Sequence, residues 1–215
     1  VALFTKFPGQ PAHADALLAL GRMSAWQGDR EQASRLFQQA VHLFTESSNV
    51  HGAAQAMVQL GLFRVTDDRF DEGVKTLEEA LTRARGSQDD RQTAVVLFAI
   101  GDAWWLTDRP ADAQPYYLQA LALVEKGVQP HLEAELQRRL STVNAAMGRK
   151  EQAVVAVKRA ITLYQSLRES SGEAASWALL ASLYRELGRE KDGEEAAEQA
   201  LIIYQHQQIF VHAIR

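Results

Sequence analysis

The sequence predicts an all-α fold, a solenoid of five helical hairpins, on three observations. Alanine recurs at Ala40, Ala80, Ala120, Ala160 and Ala200, each followed by an aliphatic residue, from Val41 to Leu201. Two further rows of small residues keep the same step: Gly21, Gly61, Gly101, Ser141 and Ala181, then Ala33, Gly73, Ala113, Ala153 and Gly193. All three rows advance by 40 residues without an insertion or deletion. A period of this size marks an array whose units bury their apolar faces only against their neighbours. No stretch alternates apolar and polar residues as a half-buried strand would.

Within each unit the apolar residues fall in two blocks at helical spacing. In the first, Leu17, Leu20, Gly21 and Ser24 mark one face of a helix. Gln27-Gly28-Asp29-Arg30 then reads as a turn, with Gly28 free to take the left-handed conformation that ends a helix. Ala33, Leu36, Phe37, Ala40, Val41 and Phe44 mark the second helix. Equivalent turns stand at Asp67-Asp68, Thr107-Asp108, Gly148-Arg149 and Gly188-Arg189. Pro110 suits the first turn of its helix, where no amide partner is needed. Pro115 falls inside that helix and deletes a hydrogen bond. Polar stretches such as Glu46-Ser47-Ser48-Asn49 link one unit to the next.

These blocks place the hairpins at about 14–46, 54–86, 94–126, 134–166 and 174–205. Residues 1–13 read as the end of a preceding repeat and a linker, and 206–215 as a linker and the start of a sixth repeat. Val1-Ala2-Leu3-Phe4 aligns, 40 residues earlier, with Val41-His42-Leu43-Phe44. Phe4 and Ile209-Phe210-Val211 are therefore expected to be apolar surface through which repeat ends self-associate. The small rows let two helices approach to about 8 Å at their crossing.

Composition sets the bounds on chemistry. Of 215 residues 47% are hydrophobic and 23% charged, which suits a folded chain with a solvated surface. A net charge of −4 gives no basic stripe for nucleic acid, and no apolar run approaches the roughly 20 residues that span a bilayer. With no cysteine there is no disulfide, thiolate nucleophile or cysteine-held zinc, and a reducing cytoplasm is the expected setting. The six histidines form no His-Glu-x-x-His helix. His51 and His131 stand in equivalent slots two units apart, so they cannot share a metal at roughly 8–10 Å per helix layer. Glu78-Glu79 and Glu194-Glu195 read as solvated helix charge. No nucleophile elbow or phosphate loop occurs. The expectation is a non-enzyme without metal or cofactor.

A helical hairpin with a Trp/Leu slot, a small residue, an aromatic, and then Ala, an aromatic and Ala resembles the tetratricopeptide repeat. The third unit supplies Leu97, Ile100, Gly101, Trp104, Ala113, Tyr117 and Ala120. The fifth supplies Trp177, Leu180, Ala181, Tyr184, Gly193, Ala197 and Ala200. The usual period is about 34 residues. The longer step here is similar to repeats of bacterial maltose-activator-type regulators and of peptide-binding polarity scaffolds. The fourth unit departs from the pattern at Gln137, Asn144 and Val157.

The resemblance implies a right-handed α-solenoid whose first helices line a concave face. It implies a partner there, a protein or peptide presented as an amphipathic helix or extended segment. The candidate lining is Arg22, Gln59 and Leu62, then Phe98, Asp102 and Trp105, then Glu135, Arg138 and Thr142, and Arg185, with Leu18, Val58 and Ser182 beside them. Trp104 fills the family's core slot, so Trp105, turned about 100° away, faces elsewhere. The carboxylate-clamp variety needs Lys and Asn where this chain has Leu18, Arg22, Gln59, Val95 and Ala99, and is excluded. Two readings follow: a scaffold module of a longer protein, or the sensing region of a bacterial signalling or transcription-regulating protein that takes a small ligand or peptide.

Overall fold

A computed structural model describes residues 11–124 and 129–213, with side-chain surroundings for 12–124 and 129–206. Among them are ten α-helices and no strand. The first five are α1 (Pro11–Trp26), α2 (Arg30–Glu46), α3 (Val50–Thr66), α4 (Phe70–Gly86) and α5 (Asp90–Leu106). The others are α6 (Pro110–Val124), α7 (Pro130–Ala146), α8 (Lys150–Leu167), α9 (Ser170–Glu186) and α10 (Glu190–Ala213). No described helix is long and apolar enough to cross a membrane.

The chain forms two compact units, 1–109 and 110–215. In the first, α1 pairs with α2 and α3 with α4 as antiparallel hairpins, α2 packs on α3, and α4 packs on α5. In the second, α7 pairs with α8 and α9 with α10, while α6 packs on α7 and α8 on α9. First helices also touch each other directly, α3 with α5 in one unit and α7 with α9 in the other. They form one layer of each unit.

The sequence period is 40, but the backbone repeats every 20. Gly28, Ser48, Asp68, Gln88, Asp108, Gly148, Arg168 and Gly188 all have positive φ, between 54° and 82°. Each follows the end of a helix, and at every one but Gln88 the amide one residue later closes back on a carbonyl five residues upstream, as Asn49 does on Phe44 (2.9 Å) and Arg149 on Asn144 (2.8 Å). Asp29, Asn49 and Asp89 then cap the next helix by accepting from Gln32, Gly52 and Gln92 amides. These caps start α3 and α5 one turn before the hairpin positions expected from apolar spacing alone. At every link but the one after α6, two or three residues are thus enough to reverse the chain and restart a helix.

Left-handed backbone is disfavoured for a long side chain by about 1–2 kcal/mol. Arg168 adopts it at φ 56° with its side chain exposed. Arg168→Gly is therefore expected to stabilise the second unit by up to about 1 kcal/mol, after the entropy loss of glycine is subtracted. Asp68→Gly should gain less, because Asp tolerates this region. Urea midpoints of the two variants check the order.

Helix crossings use the small rows as expected. Ala40, Ala80, Ala120 and Ala160 are wholly buried and Ala200 nearly so. A Cβ added at Gly73 would lie 2.7 Å from the Gly61 carbonyl oxygen, so α3 and α4 meet backbone to backbone. In the fourth repeat Ser141 replaces glycine and donates to the Ala153 carbonyl across the same crossing at 2.8 Å. Two of the other departures there are also accommodated. Asn144 accepts from Gln114 at 2.9 Å, and Val157 is wholly buried.

Candidate partner-binding surface

The first helices carry two sets of side chains that the hairpin cores do not use. In the first unit an open groove of about 450 Å³ runs between α3 and α5. One wall is His51, Gln55 and Gln59 on α3, and the other is Arg91 and Val95 on α5. Gln55 and Arg91 are exposed, Gln59 is half-buried, and Val95 keeps 42% of its surface in solvent. The groove floor is Val58, which is buried, and Gln92, whose amide donates to the His51 carbonyl at 2.8 Å. His51 stands 3.9 Å from the Asp89 carboxylate, a link repeated by His131 and Glu169 at 3.1 Å in the second unit. Equivalent histidines thus stand beside the residue that precedes the next first helix. No group of three or more metal-ligating side chains occurs among the described residues.

The second set is a hydrogen-bonded cluster on α7. Glu135 accepts from Arg138 at 2.7 Å through one oxygen and from the Tyr164 hydroxyl at 2.5 Å through the other. Burial pushes the Glu135 carboxyl up, but the bonds from Arg138 and Tyr164 outweigh it and hold it below the usual carboxylate range. Burial together with the Glu135 carboxylate holds the Tyr164 hydroxyl well above the ordinary phenol range. A carboxyl depressed in the folded state stabilises above its unfolded value, and that contribution is lost as pH falls through the folded one. The parent is therefore expected to lose more stability than Glu135→Gln between about pH 7 and about pH 3. Thermal melts of both across that range check it.

The expected lining distributes as follows. Arg22 on α1 and Arg185 on α9 are exposed. Gln59, Leu62, Phe98, Asp102, Trp105, Glu135, Arg138 and Thr142 are half-buried on their first helices. Leu18 and Val58 are buried and belong to the core. Both tryptophans of the Trp104-Trp105 pair are half-buried. Trp104 packs edge-on against Phe70 with ring centroids 4.8 Å apart and carries the Arg109 guanidinium 4.2 Å from its centroid. Gln55 and Arg91 escaped the sequence reading, which weighed apolar and aromatic positions more heavily than an amide row.

A larger groove of about 770 Å³ lies in the second unit between α8 and α10, over α9. Its polar groups are mostly engaged already. Arg189 sits 4.2 Å above the Tyr184 ring and bonds Asp192 at 2.6 Å, and Lys158 takes a position 5.6 Å from the same ring. By contrast, the Gln55 and Gln59 amides bond no described residue. Volume and unengaged polar groups point to different places.

Three family models described as tetratricopeptide repeat match residues 13–47, 52–126 and 174–205, together more than half of the chain. The unmatched interval holds the fourth repeat, the one with the polar departures. Among solved structures the chain resembles BtubC (BKLC) from P. vanneervenii, with a TM-score of 0.82 at 17% identity, over 92% of this chain and 82% of that one. It also resembles the repeats of a putative kinesin light chain from Podosopora anserina, with a TM-score of 0.73 at 18% identity, over 93% and 98% of the two chains. A third likeness is MamA, with a TM-score of 0.63 at 16% identity, over 87% and 96%. At these identities the likeness is one of fold. No curated protein sequence matches the chain.

Proposed function

The chain belongs to the tetratricopeptide repeat family, and we propose that it is a non-catalytic scaffold that holds an extended peptide segment of a protein partner along its first helices, the face expected to be concave. The observation that carries this reading is the α3–α5 groove. There two unengaged amides, Gln55 and Gln59, stand across from exposed Val95 and the Arg91 guanidinium. A side-chain amide both donates and accepts, so a row of them matches the backbone of an extended chain, which has N–H and C=O at each residue. Val95 offers an apolar contact for one side chain of that segment, and Arg91 a bidentate partner for an acidic one. Phe98 and Trp105 continue the wall along α5, and aromatic anchors commonly dominate such interfaces.

The test is selection from a displayed library of short peptides, followed by titration of the selected sequences against variants. Enrichment for an apolar residue near an acidic one is expected. The double variant Gln55→Ala/Gln59→Ala and the single Arg91→Glu should each weaken binding about 10-fold or more, as for one or two lost charge-assisted or buried hydrogen bonds. Glu79→Lys, exposed on α4, should bind like the parent. Selected peptides that bind both groove variants as tightly as the parent would place the partner elsewhere.

A further inference from the structure

The groove between α8 and α10 has an aromatic and aliphatic floor, made of Trp177, Leu180 and Tyr184 on α9 with Ile161 on α8. It opens at Ala196, a small residue where Leu36, Thr76 and Tyr116 stand in α2, α4 and α6. The Trp177 ring is half-buried, whereas its counterparts Met57 and Leu97 are buried. Its indole N–H points to a Glu173 carboxylate oxygen at 3.4 Å, and the Gln165 amide donates to the same oxygen at 2.9 Å. The ring is therefore held in place at the groove floor.

The rim above this floor is acidic. Glu195 and Glu198 on α10 are exposed and bond no described residue, while Asp192 is taken by Arg189 at 2.6 Å. In the first unit the corresponding place is filled from within the chain. Arg64 stands in the row of Tyr184, and its guanidinium donates at 2.6 Å to Thr76, the counterpart of Ala196. The α8–α10 groove keeps the carboxylates and lacks that guanidinium. Its α10 wall is the side packed toward α8 and α9, where Ala196 is as buried as Thr76 and Ala156. The rim positions are exposed on α4 and α8 as well, at Lys75, Glu78, Val155 and Lys158. Phe4 and the side chains of Ile209, Phe210 and Val211, expected to let repeat ends associate, lie outside the described residues.

We propose that the α8–α10 groove takes an arginine from a basic segment of a protein partner, at a site apart from the peptide face of the first helices. The guanidinium plane stacks on the Trp177 indole, the ring type that attracts cations most strongly. Its fork of N–H donors meets the Glu195 or Glu198 carboxylate, which can accept two parallel bonds. The methylene stem lies along Ile161 and Leu180 while the charged head stays at the rim. Lys158 and Arg189 already lie 5.6 and 4.2 Å from the Tyr184 ring centroid, so an incoming cation is left the Trp177 end. A groove of about 770 Å³ holds more than one side chain, which favours a segment of chain over a free cation.

Fluorescence anisotropy on the 215-residue chain tests this, with a short labelled peptide that carries two arginines among glycine and serine. Salt of about 0.1 M screens the long-range attraction between unlike charges. Saturable binding is expected, and replacing both arginines by neutral citrulline should weaken it about 10-fold or more. Trp177→Leu, which installs the residue found at Leu97, and the double variant Glu195→Gln/Glu198→Gln should each weaken it about 5-fold or more. The latter pair is exposed, so its helicity should match the parent even if Trp177→Leu unfolds. Glu78→Gln/Glu79→Gln on α4 removes the same charge elsewhere and should bind like the parent. Gln55→Ala/Gln59→Ala should too, which separates this site from the α3–α5 groove. No saturable binding, an equal loss in the α4 control, or Glu195→Gln/Glu198→Gln binding like the parent would each overturn the proposal. Free arginine that binds as tightly as the peptide would overturn it as well, because the groove would then take a small cation.

Discussion

Tyr164→Ala is expected to cost the second unit about 3–5 kcal/mol, the range for deleting a buried aromatic ring. The ring is wholly buried over Gly172, and its hydroxyl holds one oxygen of Glu135. Truncation therefore removes apolar burial, opens a cavity against a glycine, and frees a half-buried carboxylate. The equivalent positions at the α4–α5 junction are Ala84, wholly buried, and Gln92, nearly so, a small residue on the second helix and a large one on the next first helix. Adding Gly172→Gln to Tyr164→Ala should consequently recover part of the loss. Gln fills the space left by the ring, and glycine is about 1 kcal/mol worse than Gln or Ala within a helix. Urea unfolding followed by circular dichroism measures both. A double variant no more stable than Tyr164→Ala would refute the size exchange.

A second large effect is expected where two helices meet at their backbones. Gly73→Ala would set a Cβ 2.7 Å from the Gly61 carbonyl oxygen and 3.0 Å from the Val65 amide nitrogen. Neither is the end of a flexible side chain, so α3 and α4 must separate. Overpacking of this kind costs about 1–3 kcal/mol, against a helix-propensity gain of about 1. Gly193 occupies the same row, but its nearest contact would be the Ala181 carbonyl oxygen at 3.3 Å. There the neighbour need yield only slightly, and Gly193→Ala should be neutral or stabilising by up to about 1 kcal/mol. Opposite signs at two equivalent positions would show that the crossing distance, not the residue type, sets the cost. Equal effects would refute it.

The rows at Ala40, Gly21 and Ala33 made the hairpins legible, because a helix crossing tolerates only small side chains and the array repeats that demand five times. The turns at Gly28, Asp68, Asp108, Gly148 and Gly188 were legible for the same local reason. Ser48, Gln88 and Arg168 were not, since their residue types carry no preference for positive φ, and only the link geometry requires it. The exchange of Phe44 with Gly52 against Ala84 with Gln92 was written in the sequence. It becomes readable only once residues eight apart are known to face each other across a link. Leu18 and Val58 stand where core and groove meet: both are buried, and Val58 also floors the α3–α5 groove. An apolar residue beside the core stripe can serve core or groove, and helical periodicity alone does not separate the two. Glu135, Arg138 and Tyr164 required the fold outright, because Tyr164 comes from the following helix and its reach depends on how closely α7 and α8 pack.

The most direct test of the first-helix surface is methyl NMR of the 215-residue chain during titration with a peptide obtained by the library selection. Val58, Val95 and Val96 line the α3–α5 groove, whereas Leu77 and Leu81 lie on the buried face of α4. Saturable shifts centred on Val58, Val95 and Val96, with Leu77 and Leu81 nearly still, are the predicted result. Shifts centred instead on Ile161, Leu180 and the α8–α10 groove would contradict it.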